Sequence, residues 1–344
     1  MGCCQNVPAQ SIDIKIKQAI DSCSIKRLDM LLKIFKSNKE KECILNKEIF
    51  AVQGFSFNFI AYCMYKGNYR VFEYFLKKRV SLTETERKME SQGIKLINLI
   101  CFRGHLNILK LYLNIYLENR ANSLSSHGQS FTLELNATQF KLNYDLPIHS
   151  ACKSGMVNIV AYLHDHFQDA KFVPKEFDTY STDDQYGEDS GLIACRYGNY
   201  TLVKYLHEKC GIDFTQLNNN RENAIMVCVS GVKPSEEFRF LEVISYLVEI
   251  IKIDISYKYE ELLIISKGAQ ITTYLETQLE KIGINAKKSE VEISFNSLPR
   301  LSVKNPLGDS EFSVDTGKEN SFISPIGSIF TKRALSIWES ELDF

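Results

Sequence analysis

Residues Leu146 to Leu163 read LPIHSACKSGMVNIVAYL. Pro147 suits the first turn of a helix, where an amide N–H has no intrahelical partner to lose. Ile148, Ala151 and Cys152 then fall on one apolar face at helical spacing. Gly155 ends that helix, because a residue without Cβ takes up the left-handed backbone of a helix stop most easily. Val157, Ile159, Val160 and Leu163 supply the apolar face of a second helix that returns antiparallel to the first. The stretch therefore predicts a short helical hairpin. A hairpin this small cannot bury its own apolar face, so it also predicts similar hairpins stacked on both sides.

Those neighbours follow from searching for a landmark residue with an apolar pair four or five positions later and another apolar residue near the eighth. Gly198 heads a segment with Leu202, Val203 and Leu206, and Ala194 precedes it as Ala151 precedes Gly155. Gly104 heads Ile108, Leu109, Tyr112 and Leu113; Gly67 heads Val71, Phe72, Phe75 and Leu76. Gly231 joins the series if Val232 to Arg239 is an insertion, after which Val243, Ile244 and Leu247 fall into place. Weaker outer landmarks stand at Cys23 (Arg27, Leu28, Leu31, Leu32) and Gly268 (Ile271, Leu275, Leu279). Landmarks at 23, 67, 104, 155, 198, 231 and 268 are separated by 44, 37, 51, 43, 33 and 37 residues.

Leu146 to Ala151 resembles the ankyrin signature T-P-L-H-x-A, with Leu146 in the place of Thr. The family period is about 33 residues, so one interval is regular and the others carry extra residues. The resemblance implies an all-α ankyrin-repeat solenoid of helical hairpins with β-hairpin fingers over residues 11–285. Its repeat-signature positions are Gly67, Gly104, Pro147, His149, Ala151, Gly155, Ala194, Gly198 and Gly231. By the same resemblance His149 orders a finger through backbone hydrogen bonds, and Cys152 is packed.

Composition sets bounds on function. With 344 residues, 44% apolar and 24% charged, the chain has material for a core. A formal net charge of −1 argues against nucleic acid as a partner, since neutralising phosphates needs a basic surplus. Apart from the adjacent Cys3 and Cys4, the ten cysteines are scattered singly. Cys63, Cys101, Cys152, Cys195 and Cys228 fall in or beside first helices, where cysteine acts as a small buried hydrophobe. That usage suits a reducing interior and a cytoplasmic location. No uncharged apolar run is long enough to span a membrane: the most apolar stretch, Leu241 to Ile255, contains Glu242, Glu249, Lys252 and Asp254.

Four segments lie outside the repeat pattern, and one end of the pattern has a basic side. Residues 1–10 begin Met1-Gly2-Cys3-Cys4, placing Gly2 for myristoylation and Cys3 and Cys4 for palmitoylation. Two or three acyl chains would hold the protein at the cytoplasmic face of a membrane, where one alone would not; the alternative is an unmodified N-terminus. The first helical pair, Ile12 to Phe35, carries Lys15, Lys17, Lys26 and Lys33, as expected of a capping repeat or of a face lying on acidic lipid. From Asn119 to Asp145 a loop gives way to alternation (Phe131, Leu133, Leu135; Phe140, Leu142, Tyr144), which predicts a β-hairpin finger. Asp169 to Asp189 is rich in acidic residues, but Asp183, Gln185 and Gly187 do not follow calcium-loop order, so it reads as a solvated acidic finger with no metal. Residues 286–344 are serine-rich and punctuated by Gly and Pro, which predicts a disordered tail. Ser324 and Ser336 are its phosphorylation candidates, and Leu335, Trp338 and Leu342 form a short amphipathic motif near its end.

No phosphate-binding glycine loop, zinc-protease pair or C-x-x-C motif is present. His149 and Cys152 are three residues apart and can be drawn as a catalytic pair, but that chemistry needs an exposed thiolate. His164 and His166 point to different faces. No cofactor is implied. The expected function is a non-enzymatic adaptor that grips a protein partner with fingers and first helices. The rival is an enzyme or small-molecule binder using the Cys and His residues of the first helices. A third reading makes the tail the functional part.

Overall fold

The computed structural model describes residues 11–52, 55–126, 146–167, 175–183, 185–233 and 235–285. Residues 1–10 (with Gly2, Cys3 and Cys4), the hairpin expected around 131–144, and the tail with Ser324, Ser336 and Trp338 lie outside them. The chain divides into two compact units, Met1–Leu275 and Glu276–Phe344, and the hairpin stack belongs to the first.

The chain opens with the pair α1 (Ile12–Asp21) and α2 (Ile25–Leu32), then an added helix α3 (Asn38–Leu45) and a strand hairpin, β1 (Glu48–Val52) with β2 (Phe55–Asn58). The next pair is α4 (Phe59–Lys66) and α5 (Tyr69–Lys77), followed by a second added helix, α6 (Thr83–Glu90). Four pairs continue the series: α7 (Leu96–Phe102) with α8 (Leu106–Ser126), α9 (Pro147–Lys153) with α10 (Val157–Phe167), α11 (Ser190–Arg196) with α12 (Tyr200–Tyr205), and α13 (Ala224–Gly231) with α14 (Glu237–Tyr246). Helices α15 (Tyr259–Ile265) and α16 (Ala269–Lys281) follow. The first helices α1, α4, α7, α9, α11, α13 and α15 touch in that order, and so do the second helices α2, α5, α8, α10, α12 and α14. This double ladder buries the face that each hairpin would expose alone: Ile148, Ala151, Cys152, Ile159, Val160 and Leu163 are all without solvent contact.

The helix stops repeat in detail. Gly155 has φ +69° and donates to the Cys152 carbonyl at 3.2 Å, while the Met156 amide donates to the Ala151 carbonyl at 3.0 Å. Gly67, Gly104 and Gly198 are also left-handed and make the equivalent bonds. A second constraint acts on them, because the residue that follows one glycine in the next hairpin packs on the glycine before it. A Cβ on Gly67 would come within 2.6 Å of His105, on Gly104 within 2.5 Å of Met156, and on Gly155 within 2.8 Å of Asn199.

Gly231 departs from this pattern. It is the last residue of α13 and is not left-handed; a Cβ there would lie 1.9 Å from the Arg196 carbonyl oxygen. The left-handed glycines at 67, 104, 155 and 198 each stand nine residues after their helix N-cap at 58, 95, 146 and 189, whereas Gly231 stands eight after Asn223. Its glycine is needed for close backbone approach and not for the turn.

In the intervals before Gly67 and Gly104, extra residues take the form of structure. Those before Gly67 include α3, held by a capping box in which Ser37 Oγ accepts from the Glu40 amide at 3.1 Å. Those before Gly104 include α6. The strand pair at 48–58 is not among the elements that apolar spacing predicts; Phe50 pairs with Phe57, with a register shift between Glu48 and Phe50. Helix α8 runs to Ser126, not into a loop from Asn119. Asn and Ser cost a helix only tenths of a kcal/mol each, roughly 0.5, too little to stop one already nucleated.

Candidate functional site

Fingers and the first helices they lead into form one surface, and short polar residues shape it. Asn58, Asp189 and Asn223 cap α4, α11 and α13, accepting from the amides of Ala61 (2.8 Å), Leu192 (2.9 Å) and Met226 (3.0 Å). Within the finger at 178–189, Asp183 Oδ1 accepts from the amides of Gln185, Tyr186 and Gly187 at 3.1, 2.6 and 2.9 Å. In the next finger Asn218 Oδ1 accepts from the amides of Asn220 and Glu222 at 3.0 and 2.9 Å. The two fingers are joined by the Asn219 amide, which donates to the Tyr186 carbonyl at 2.7 Å. Apolar periodicity does not register these residues; the signal that finds them is Asp or Asn two to four places before a turn or one place before a helix.

Of the acidic segment expected at Asp169 to Asp189, residues 169–174 and 184 lie outside the described residues, and the end nearest α11 is not solvated. Glu188 is only 1% exposed and Asp189 is buried. Glu188 accepts from Arg196 Nε at 2.8 Å and again from Nη2, a forked pair, and also from Asn218 Nδ2 at 3.1 Å. Arg196 Nη1 donates to Ser230 Oγ at 3.0 Å, and its guanidinium lies 5.1 Å from the Tyr186 ring centroid. One arginine thus ties α11 to its own finger, to the next finger and to α13. Burial works against its charge, and the carboxylates of Glu188 and Glu222 more than restore it. For Asp189 burial dominates: its carboxyl is pushed up to about 6, although the amides of Leu192 and Gly191 bond it and favour ionisation.

At the N-terminal end the packing beneath this surface is aromatic: Phe57, Tyr62 and Tyr65 are buried and Phe50 is half-buried. Phe50 and Tyr62 stand 4.8 Å apart between ring centroids, and Phe57 and Tyr65 5.2 Å apart. Cations cover the rings: Lys17 lies 5.2 Å from Phe50, and the Arg103 guanidinium 4.6 Å from Tyr65. Lys17 of the basic first pair is therefore engaged by ring faces.

The residues that suggest catalysis are placed for structure. His149 is 1% exposed, and its Nε2 lies 2.8 Å from the Ser181 carbonyl oxygen, which orders the following finger. Pro147 occupies the first helical turn of α9. Cys152 is buried beside Ala151, and burial pushes its thiol up to about 12. Ala194 and Cys195 hold the same places in α11, and burial likewise raises the Cys195 thiol and those of Cys63, Cys101 and Cys228. A thiol in that state is a poor nucleophile at neutral pH. His105 Nε2 lies 2.9 Å from the Tyr65 carbonyl oxygen, and burial lowers its pKa. Among the described residues no three His, Cys, Asp or Glu side chains are grouped to hold a metal ion, and no helix is long and apolar enough to cross a membrane.

Stacked first helices, left-handed glycine stops, and a buried histidine that orders the next finger are the marks of one repeat family. Its model, ankyrin repeats, matches residues 59–218 in three copies. These residues are ankyrin repeats. A comparison with curated proteins gives no match. Beyond the ankyrin match, α13 stacks on α11 and α14 on α12, so the ladder continues past residue 218. Ankyrin repeats are in general protein–protein interaction modules, which makes the finger surface the candidate site.

Proposed function

We propose that the protein is a non-enzymatic scaffold that binds a protein partner across its fingers and first helices. The observation that carries this reading is the interlock of two consecutive fingers. Gln185, Asn219, Asn220 and Arg221 are exposed at their tips, on backbone fixed by Asp183, Asn218 and the bond from Asn219 to Tyr186. Side chains displayed on a rigid backbone lose little freedom on binding, so their contacts count toward affinity. The test compares full-length protein with an Asn220→Ala/Arg221→Ala variant, each used as bait and followed by mass spectrometry. A protein recovered by the wild type and lost from the folded variant is the expected result. Identical recoveries would overturn the assignment of the surface. The catalytic alternative is tested by thiol labelling of the native protein, in which Cys152 and Cys195 are expected to react only after unfolding.

A membrane tether belongs to the same proposal and rests on Met1-Gly2-Cys3-Cys4. A myristoyl chain on Gly2 with a palmitoyl chain on Cys3 or Cys4 would give stable attachment at a cytoplasmic membrane face. Intact-mass measurement and fractionation from a eukaryotic host check it. Gly2→Ala is expected to move the protein to the soluble fraction, and a wild type with no added mass at Gly2 would refute the tether.

A further inference from the structure

The second-helix side carries a feature that the binding surface does not use. Helices α2, α3 and α5 enclose a cleft of about 370 Å³, within the range of about 300–1,000 Å³ typical of small-molecule sites. Its charged lining is Lys33, Lys41, Lys78 and Arg79 against Asp29 and Glu42. One wall exists because of the long interval before Gly67: α3 is the added helix, and it places Lys41 and Leu45 on the same face, one turn apart. Leu45 is fully buried and anchors that wall.

The charges are not balanced. Asp29 is shared, with Lys33 Nζ at 2.9 Å, Lys78 Nζ at 3.4 Å and the Tyr74 hydroxyl donating at 2.9 Å. Lys33 first, then Tyr74 and Lys78, hold its carboxyl down at about 2, so it stays ionised. The carbonyl ends of α2 and α5, capped by Lys33 and Lys78, add partial negative charge that offsets part of this surplus. Among the described residues Lys41 and Arg79 enter no ion pair, and Glu42 is the one carboxylate left to face them. Arg79 moreover holds a left-handed backbone, φ +55°, which in a later repeat is taken by Gly211 at φ +68°. A bulky side chain there carries a conformational cost that glycine does not.

We propose that this cleft binds a small polyphosphorylated anion, with Lys41 and Arg79 as its principal contacts and Lys33 and Lys78 released toward it from Asp29. The chemistry is that of a phosphorylated inositol, whether a lipid headgroup or a free metabolite. Several phosphate groups on a compact ring match several cations around a compact cleft, and guanidinium forks suit phosphate oxygens.

The test titrates full-length protein with inositol trisphosphate by calorimetry and, in parallel, with phosphatidylcholine vesicles with and without phosphatidylinositol bisphosphate. Wild type is expected to bind inositol trisphosphate, more weakly as salt rises. Arg79→Gly and Lys41→Gln are each expected to weaken it about tenfold, and Asp29→Asn to tighten it by freeing two lysines. Arg79→Gly fits the left-handed backbone, so its melting temperature should not fall, and lost binding then reports on the cleft and not on folding. Binding to both soluble ligand and doped vesicles, each sensitive to Arg79→Gly, assigns a lipid headgroup; binding to soluble ligand alone assigns a free metabolite. No binding of inositol trisphosphate would overturn the proposal. So would binding of inositol trisphosphate unchanged in the Arg79→Gly/Lys41→Gln variant, or preference for a phosphopeptide spanning Ser324; vesicle binding indifferent to both substitutions would exclude the lipid headgroup.

Discussion

Phe57 with Tyr65 and Glu188 with Arg196 occupy the same two places in their repeats. In each pair the first residue precedes the N-cap, Asn58 or Asp189, and the second stands two before the left-handed glycine, Gly67 or Gly198. One pair closes finger onto first helix by stacking rings 5.2 Å apart, the other by a buried forked ion pair. Ile94 and Phe102, both buried, hold these places around α7, and Glu222 and Ser230 hold them around α13. The fold therefore fixes where a finger is clamped and leaves open the chemistry of the clamp. That freedom gives the two ends of the ladder different clamps beneath their fingers, buried rings at one and a buried carboxylate held by a guanidinium at the other.

The clamps should fail differently. Removing one partner of a buried ion pair leaves the other desolvated without compensation, at a cost of about 3–5 kcal/mol. Glu188→Ala is expected at the lower end of that range, because Glu222 still lies 3.8 Å from Arg196 Nη2. Urea denaturation of the purified chain measures it, and Glu188→Gln should lose less because its amide oxygen still accepts from Arg196. A change below about 1 kcal/mol would mean that the pair behaves as a surface bridge, and the contrast with Phe57 would collapse.

The aromatic clamp tolerates more. Phe57→Leu keeps an apolar body against Tyr65 and Phe50 and leaves no charge stranded, so a loss of about 1–2 kcal/mol is expected from reduced packing. A loss matching that of Glu188→Ala would show that clamp position alone matters and clamp chemistry does not.

The repeat ladder is legible in the sequence because its signals are local. Gly155 and Gly198, with the Ala-Cys pairs before them, stand at fixed short spacings, and the apolar faces of α10 and α12 follow the helical period. The clamp is not legible in the same way. Glu188 sits among Asp183, Asp184 and Asp189, and composition reads such a run as solvated, yet its partner stands eight residues away across a helix cap. Gly231 misleads for a related reason: the landmark is a glycine, but the register is set by the cap at Asn223. Counting from the Asx caps would have corrected both, since a cap fixes where the helix begins and hence which residue reaches back to the finger.

The caps themselves supply the smallest and most specific test. Asn58 and Asn223 fill the N-cap with an uncharged amide, whereas Asp189 fills it with a buried carboxyl whose pKa is raised to about 6 from 3.8 by desolvation first of all. A raised folded-state pKa means that the neutral form is the one folding favours. Asp189 therefore costs nothing below about pH 4, where it is protonated in both states, and its penalty grows as pH rises through 4 to 6. Above that window the cost is constant. Asp189→Asn keeps the acceptor for the Leu192 amide and removes the titration, so it should match the wild type near pH 4 and be more stable at pH 7. The gain should be on the order of 1 kcal/mol or more, since each raised pKa unit corresponds to roughly 1.4 kcal/mol and the stronger bonds of the Leu192 and Gly191 amides to a carboxylate are already contained in the net shift. Melting curves of both proteins at a series of pH values measure the difference. A gain that is the same at pH 4 and pH 7 would locate the effect outside ionisation, and a loss at pH 7 would mean that the charged cap is worth more to α11 than its desolvation costs.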